Sequence, residues 1–163
     1  MSIFTPEVNI MIKEARTEDA AKLIEYTKLV GEQTDNLSFG KEGAGYTPEV
    51  EEFVKRICSD SKSVMYFAWK NDDIVGCANI SGMKRRMSHR ANFAISVAKS
   101  EWGSGIGSAL LEKCISFAKD NEIEIINLDT RSDNIRAISL YKKFGFIKRI
   151  DADLGYGMIL TDN

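Results

Sequence analysis

The sequence has no long hydrophobic run. Its longest stretches without a charged side chain are short, such as Ile74–Met83, whereas a membrane-spanning helix needs about 20 consecutive apolar residues. The N-terminal residues also lack the basic start and the apolar stretch of a signal peptide. The sequence therefore predicts no membrane partner and a cytoplasmic location.

Neither sign of charge is in excess. The chain of 163 residues has 22 Lys and Arg against 24 Asp and Glu, which gives a formal net charge of −2. A nucleic-acid-binding protein usually carries a basic excess or a basic stripe. The one basic cluster, Lys84–Arg86 followed by Arg90, is too short for a duplex footprint, so no nucleic-acid partner is predicted.

Cysteine and histidine are scarce. Cys58, Cys77 and Cys114 are far apart and form no Cys-x-x-Cys pair, and the single histidine, His89, is near none of them. This spacing fits neither a disulfide framework nor a metal site. We expect three small, buried, reduced thiols and no bound metal.

The chain does have enough apolar sequence for a buried core. Hydrophobic residues make up 44% of it and charged residues 28%, which excludes a disordered tail, a collagen-like fibre and a disulfide-stapled miniprotein. No repeat or low-complexity linker divides the chain, and a domain usually has about 100–200 residues. Residues 1–163 are therefore predicted to form a single domain.

Apolar periodicity and turn residues predict a mixed-sheet α/β domain with the element order βααβββαβαββ. A loop rich in Gly, Ser and Asn is predicted at Gln33–Thr47, and a hairpin turn at Lys70–Asp73. The predicted strands are Val8–Ala15, Val64–Trp69, Ile74–Ser81, His89–Val97, Ile123–Thr130, Phe146–Ile150 and Tyr156–Leu160, and the predicted helices begin near Thr17, Pro48, Ile106 and Asp133.

The strongest chemical signal is a glycine-rich turn between the strand that ends at Val97 and the helix that follows. Gly103, Gly105 and Gly107 allow close approach of a ligand to the backbone, and the free N–H groups and dipole of a helix start favour a phosphate or diphosphate. The spacing fits neither a dinucleotide-binding Gly-x-Gly-x-x-Gly motif nor a Walker A loop. A tight turn without a ligand is the alternative.

A second motif lies about thirty residues further along the chain. Asn134 and Tyr141 are followed by Phe-Gly-Phe at residues 144–146. Together with the glycine turn, this motif resembles the GNAT superfamily of acyl-CoA-dependent N-acetyltransferases, closely from about residue 74 to residue 146. The predicted element order also matches that family's fold, a mixed, mostly antiparallel central sheet flanked by about four helices.

The resemblance implies that acetyl-CoA or CoA binds as the acyl donor, with its phosphates on main-chain N–H groups of the glycine turn. It also implies that pantetheine pairs with the end of the central strand, where an N–H near Val97 or Ala98 faces the thioester oxygen. Trp102 departs from the family pattern, which has Arg or Gln there. The implied cofactor-binding residues are Ile95, Ser96, Val97, Trp102, Gly103, Ser104, Gly105, Ile106, Gly107, Ser108, Asn134 and Tyr141.

Direct transfer of an acetyl group to a primary amine, without an acyl-enzyme, is the chemistry that the resemblance implies. Tyr141 is then the general acid for the departing thiolate, since a phenol has a pKa of about 10; a core aromatic residue is the alternative. Asn134 is interpreted as a helix cap, a cofactor contact or both. His89 is a candidate general base, with a structural or surface histidine as the alternative, and Glu42 or an ordered water could serve as the base instead.

The acceptor is expected to be an amine of a small molecule or a peptide, chosen by the predicted loop after the first helix. Many members of the family are dimers, so the resemblance also implies a homodimer. A non-catalytic acyl-CoA-binding module is the alternative function, and a nucleotide-binding regulatory domain is a third one that the glycine spacing disfavours. The acidic and aromatic loop residues are Asp35, Phe39, Glu42 and Tyr46.

Overall fold

The computed structural model describes residues 10–33, 47–152 and 155–161. Within them, the helices and longer strands follow the predicted order βααβββαβαββ, with short 3₁₀ turns in addition. The strands are β1 Ile10–Glu14, β2 Val64–Lys70, β3 Asp73–Gly82, β4 Arg90–Val97, β5 Ile125–Arg131, β6 Ile147–Ala152 and β7 Gly155–Thr161. The helices are α1 Ala20–Gln33, α2 Thr47–Ser59, α3 Ile106–Asp120 and α4 Ile135–Lys143.

The described strands form one 7-stranded sheet in the order β1-β2-β3-β4-β5-β7-β6. Every neighbouring pair is antiparallel except β4 and β5, which run parallel. The β2–β3 hairpin turns at Asn71, whose φ of 57° is left-handed, a conformation that Asn tolerates better than most residues. The prediction of a mixed, mostly antiparallel sheet is therefore confirmed.

Side chains alternate across β4, so its two faces contact different helices. On one face, Phe93 packs edge-on against Tyr141 of α4, with the ring centroids 6.2 Å apart. On the other face, the Ser96 hydroxyl lies 2.7 Å from the Tyr26 hydroxyl of α1. Helices therefore pack on both sides of the central strands.

Helix α3 lies on the Phe93 face and approaches β3 closely. A Cβ at Gly76 would lie 3.0 Å from side-chain atoms of Ile106 and Leu110, so glycine makes this approach possible. All three cysteines are free thiols, but only Cys114 is fully buried; the prediction that all three are buried is wrong for Cys58, which is exposed, and Cys77 is partly buried. The largest fully buried side chains include Phe67, Ile80, Leu110, Leu111, Ile123 and Met158.

The parallel contact between β4 and β5 is short. It pairs Arg90–Asn92 with Ile125–Asn127 and then ends, although β4 continues to Val97 and β5 to Arg131. Over its whole length β5 pairs with β7 on its other side. The two central strands therefore separate, and a gap opens between their C-terminal halves.

The described residues contain neither a membrane-spanning helix nor a cluster of metal ligands. No helix among them combines the length and the apolar character that crossing a bilayer requires. The same residues contain no group of three or more His, Cys, Asp or Glu side chains arranged to hold a metal ion.

Candidate active site

A cleft of about 680 Å³ occupies the gap between β4 and β5. Its walls come from the second half of β4, the turn before α3, the start of α3, the end of β5 and α4. Gaps at the carboxyl ends of central strands are common ligand sites in α/β proteins. Most of the residues that the sequence predicts for cofactor binding line the cleft, namely Ile95, Ser96, Val97, Trp102, Gly103, Gly105, Ile106, Gly107, Ser108, Asn134 and Tyr141.

The turn before α3 exposes a group of main-chain N–H donors. Gly103 and Gly105 have φ of 82° and 90°, and apart from each glycine and its two chain neighbours no atom lies within 4 Å of the positions that their Cβ atoms would take. The N–H groups without an acceptor among the described residues are those of Gly103, Gly105, Ile106, Gly107 and Ser108. These donors and the positive end of the α3 dipole make an anion site that opens onto the cleft.

The edge of β4 that faces the cleft also carries main-chain groups. The Ala98 N–H donates to the Val75 carbonyl at 2.8 Å, so in this antiparallel pair the main-chain groups of Val97 and Ile95 point away from β3. The Val97 carbonyl accepts from Trp102 Nε1 at 3.0 Å. Of the two N–H groups expected near a thioester, the Ala98 group is therefore occupied, and the Val97 group points towards the cleft.

Tyr141 of α4 belongs both to the core and to the lining of the cleft. Its side chain is only 6% exposed and packs against Phe93 and Phe146, with centroids 6.2 and 5.7 Å away. Burial disfavours the phenolate and raises the pKa of Tyr141 to about 12. Within the described part of the chain nothing hydrogen-bonds to its hydroxyl, which keeps contact with solvent. The position is compatible with both predicted roles, proton donor and core aromatic residue.

Asn134 is the N-cap of α4. Its side-chain oxygen accepts a hydrogen bond from the Ala137 N–H at 3.4 Å, which is the capping role that its position in the sequence predicts. Asn134 also lines the cleft, and its amide nitrogen has no partner among the described residues. The amide N–H groups are therefore left for a ligand.

Two of the sequence-predicted site residues are not brought to the cleft. Ser104 turns back, and its N–H and its hydroxyl both donate to the Glu101 carbonyl, at 3.2 and 2.5 Å. His89 precedes β4 at the end opposite to the cleft, about 13 Å along the strand from Phe93. His89 as the base therefore stays a prediction without a cleft contact. The loop residues Asp35, Phe39, Glu42 and Tyr46 lie outside the described residues.

Several polar residues of the cleft are absent from the sequence-based prediction. Arg136, in the first turn of α4, lies over the Trp102 ring with its Cζ 4.7 Å from the centroid. Asp129, near the end of β5, is exposed and has no ion-pair partner among the described residues. Glu101 pairs with Lys70 at 2.8 Å. All three residues lie close in sequence to the glycine turn or to the motif that begins at Asn134. They meet in one cleft because β4 separates from β5, and no local sequence pattern predicts that separation.

The family model described as "Acetyltransferase (GNAT) family" matches residues 31–146 of this chain. The chain belongs to the GNAT family. The matched range includes β2 through α4, and with them the glycine turn and the motif that begins at Asn134. The resemblance noted from those two motifs is therefore confirmed.

Curated relatives match only part of the GNAT chain. Mycothiol acetyltransferase of Pseudarthrobacter chlorophenolicus is 37% identical over 67 residues, which are 41% of this chain and 20% of that protein. L-amino acid N-acetyltransferase AaaT of Escherichia coli is 39% identical over 77 residues, which are 45% of this chain and 47% of that protein. The chain thus spans about a fifth of the first relative and about half of the second.

Solved structures match over nearly the whole chain. A GNAT-family acetyltransferase from Streptococcus pneumoniae has a TM-score of 0.87 at 28% identity, covering 94% of this chain and 99% of that one. The yncA protein of Salmonella typhimurium, solved with its cofactor acetyl-CoA, has a TM-score of 0.80 at 17% identity, covering 95% of each chain. The predicted fold is confirmed by these matches.

Proposed function

We propose that this GNAT chain transfers an acetyl group from acetyl-CoA directly to a primary amine of a small molecule or a peptide. The observation that carries the proposal is the group of free N–H donors at the start of α3, which open onto the cleft between β4 and β5. CoA carries a diphosphate, the kind of anion that such a helix start favours. Membership of the acetyltransferase family supports the same donor.

The cofactor would be held mainly by the backbone. In this proposal the diphosphate binds the N–H groups of Gly103, Gly105 and the first turn of α3. The pantetheine arm pairs with the cleft-facing groups of Ile95 and Val97, as a strand would. The Asn134 amide offers a further donor on the opposite wall. CoA thus fills the space that β5 leaves when it separates from β4.

The reaction needs an attacking amine, an oxyanion donor and a proton for the thiolate. The amine nitrogen attacks the thioester carbonyl carbon, the C–S bond breaks, and the products are an N-acetylated amine and the CoA thiol. In this proposal the Val97 N–H stabilises the developing oxyanion, and Tyr141 protonates the leaving sulfur. Burial raises the pKa of Tyr141 to about 12, so the phenol keeps its proton near neutral pH and has it to donate. The proton that the amine loses passes to water or to a base.

Asp129 favours a positively charged acceptor. By the alternation of β5, its side chain lies on the same face of the sheet as Ser96 and on the opposite face from Tyr141. The other carboxylate that lines the described cleft, Glu101, is already paired with Lys70. A protonated amine that enters on the α1 side therefore meets an unpaired negative charge.

A non-catalytic acyl-CoA-binding module is the second candidate, favoured by the nearly complete burial of Tyr141 in an aromatic cluster. Calorimetric titration with CoA and acetyl-CoA, followed by thioester consumption with a panel of amines, separates the two functions. Binding together with turnover supports the acetyltransferase. Binding without turnover on any amine points to the module, and no binding at millimolar CoA overturns both.

A further inference from the structure

The glycine turn has no Lys or Arg of its own, but two basic side chains lie over the ring of Trp102, where the turn begins. No Lys or Arg occurs between Lys99 and Lys113. Arg136 of α4 lies with its Cζ 4.7 Å from the centroid of the Trp102 ring, and Lys99 Nζ lies 5.8 Å from it. A guanidinium at this distance over an indole is attracted by the negative face of the ring. Trp102 therefore connects a cation from α4 to the turn that holds the N–H donors.

The indole is itself fixed in place. Its Nε1 donates to the Val97 carbonyl at 3.0 Å, and Val97 ends β4. Trp102 is thus tied to the sheet on one side and stacks with Arg136 on the other. Because the hydrogen bond to Val97 fixes the indole, the indole in turn fixes the position of the Arg136 guanidinium, which the flexible arginine side chain alone would not do.

Arg136 is not neutralised in this position. None of the described residues forms an ion pair with it, whereas Glu101, also in the cleft lining, is paired with Lys70 at 2.8 Å. An aromatic ring orients a guanidinium without using the N–H donors at its edge. Those donors remain for an anion in the cleft.

The position of Arg136 in its helix supports the same conclusion. It is the second residue of α4, at the helix end where the dipole is positive and a cation is disfavoured. Basic residues favour the other end, where α4 has Lys142 and Lys143. Arg136 therefore does not serve the stability of the helix that carries it.

We propose that Arg136, held over Trp102, binds the diphosphate of CoA together with the N–H donors of the glycine turn. This inference rests on the proposed function, because it takes CoA as the ligand. Arg136 is the binding residue, and Trp102 is a positioning residue that acts through it. The start of α3 supplies directional N–H donors, and the start of α4 supplies the charge.

The test is calorimetric titration of the full chain with CoA and with 3′-dephospho-CoA. Arg136→Ala is expected to weaken both ligands by the same factor, about tenfold, which is the lower end for a charged hydrogen bond at an exposed site. Its melting temperature should stay unchanged or rise slightly. The matched control is Arg56→Ala, which removes an exposed arginine stacked on Phe53 at 5.4 Å on α2, outside the cleft lining. The control should bind both ligands like the wild type.

Each other outcome has a distinct meaning. A wild-type protein that ignores CoA refutes the proposed function itself, whereas tight binding by both the wild type and Arg136→Ala overturns only this inference. A loss confined to CoA, with 3′-dephospho-CoA unaffected, would assign Arg136 to the 3′-phosphate and overturn the diphosphate assignment. Trp102→Leu combined with Arg136→Ala should cost less affinity than the sum of the single changes; additive losses would overturn the positioning role of Trp102.

Discussion

Gly105→Ala tests whether the positive φ before α3 holds the N–H donors in place. At the observed φ of 90°, an alanine costs about 1–2 kcal/mol, because its Cβ approaches the neighbouring carbonyl too closely. No tertiary contact opposes the change, since no atom beyond Gly105 and its two chain neighbours lies within 4 Å of the Cβ position. In the variant, the turn therefore either keeps its shape, which lowers the stability of the folded protein, or relaxes, which moves the main-chain N–H donors apart.

Both outcomes can be measured. If the turn keeps its shape, a chain of this size loses roughly 2–4 °C of melting temperature for each kcal/mol, hence about 2–8 °C. If the turn relaxes, the same free energy is lost from ligand binding, and about 1–2 kcal/mol corresponds to a roughly 5- to 30-fold weaker Kd for CoA. Differential scanning calorimetry and titration calorimetry on the same protein give the two numbers.

Gly145→Ala is the matched control for strain. Gly145 has a φ of 97°, its Cβ would lie 3.3 Å from Leu160, and it is not part of the cleft lining. Alanine there should lower the melting temperature at least as much as Gly105→Ala and leave the Kd for CoA unchanged. The reasoning fails if Gly105→Ala matches the wild type in both measurements, or if Gly145→Ala weakens CoA binding to the same extent.

Three further predictions concern titratable groups. Tyr141→Phe should lower kcat by about 100-fold or more with little change in the Kd for CoA, as loss of a general acid does; unchanged turnover would remove the acid role. Because the folded pKa of Tyr141 is raised to about 12, its share of stability is complete below pH 10 and is lost as the pH rises from 10 towards 12. Denaturant titrations should show a smaller alkaline decline for Tyr141→Phe, and an equal decline would contradict the burial argument. Asp129→Asn should raise the KM of a cationic amine by about fivefold and leave the KM of acetyl-CoA unchanged; an equal KM for the amine would exclude the carboxylate as its partner.

The fold was predictable because its elements carry local signals. Asn71 at φ 57° closes the β2–β3 hairpin, and Gly145 at φ 97° follows the last turn of α4, as the sequence pattern predicts. Strand ends were less predictable. The buried residue Ile123 extends the apolar pattern, but β5 begins at Ile125, because a buried side chain does not require ladder hydrogen bonds.

The side of the cleft that β4 and the start of α3 form was predictable because its residues are nearly consecutive along the chain. The remaining walls were not. Val30 of α1 lines the cleft, but it shares a helical apolar face with the buried residues Leu23 and Tyr26, so the sequence alone does not distinguish it from core. His89 could not be placed relative to the site for a different reason. Its position next to the central strand is clear from the sequence, but the sequence does not show which end of that strand borders the cleft.

The separation of β4 from β5 explains why the two sides of the site differ in this way. β5 forms seven residue pairs with β7 and only three with β4, and antiparallel pairing is slightly more stable per residue than parallel pairing. The start of α3 meets α4 beside the gap, where a Cβ at Gly107 would lie 3.5 Å from Leu140. β4 therefore keeps an unpaired inner edge that a strand-like ligand can complete. In the proposed function, the part of CoA binding that uses this backbone edge depends on local geometry, whereas the proposed contributions of Asp129 and Arg136 depend on side chains that only the whole sheet brings to the same cleft.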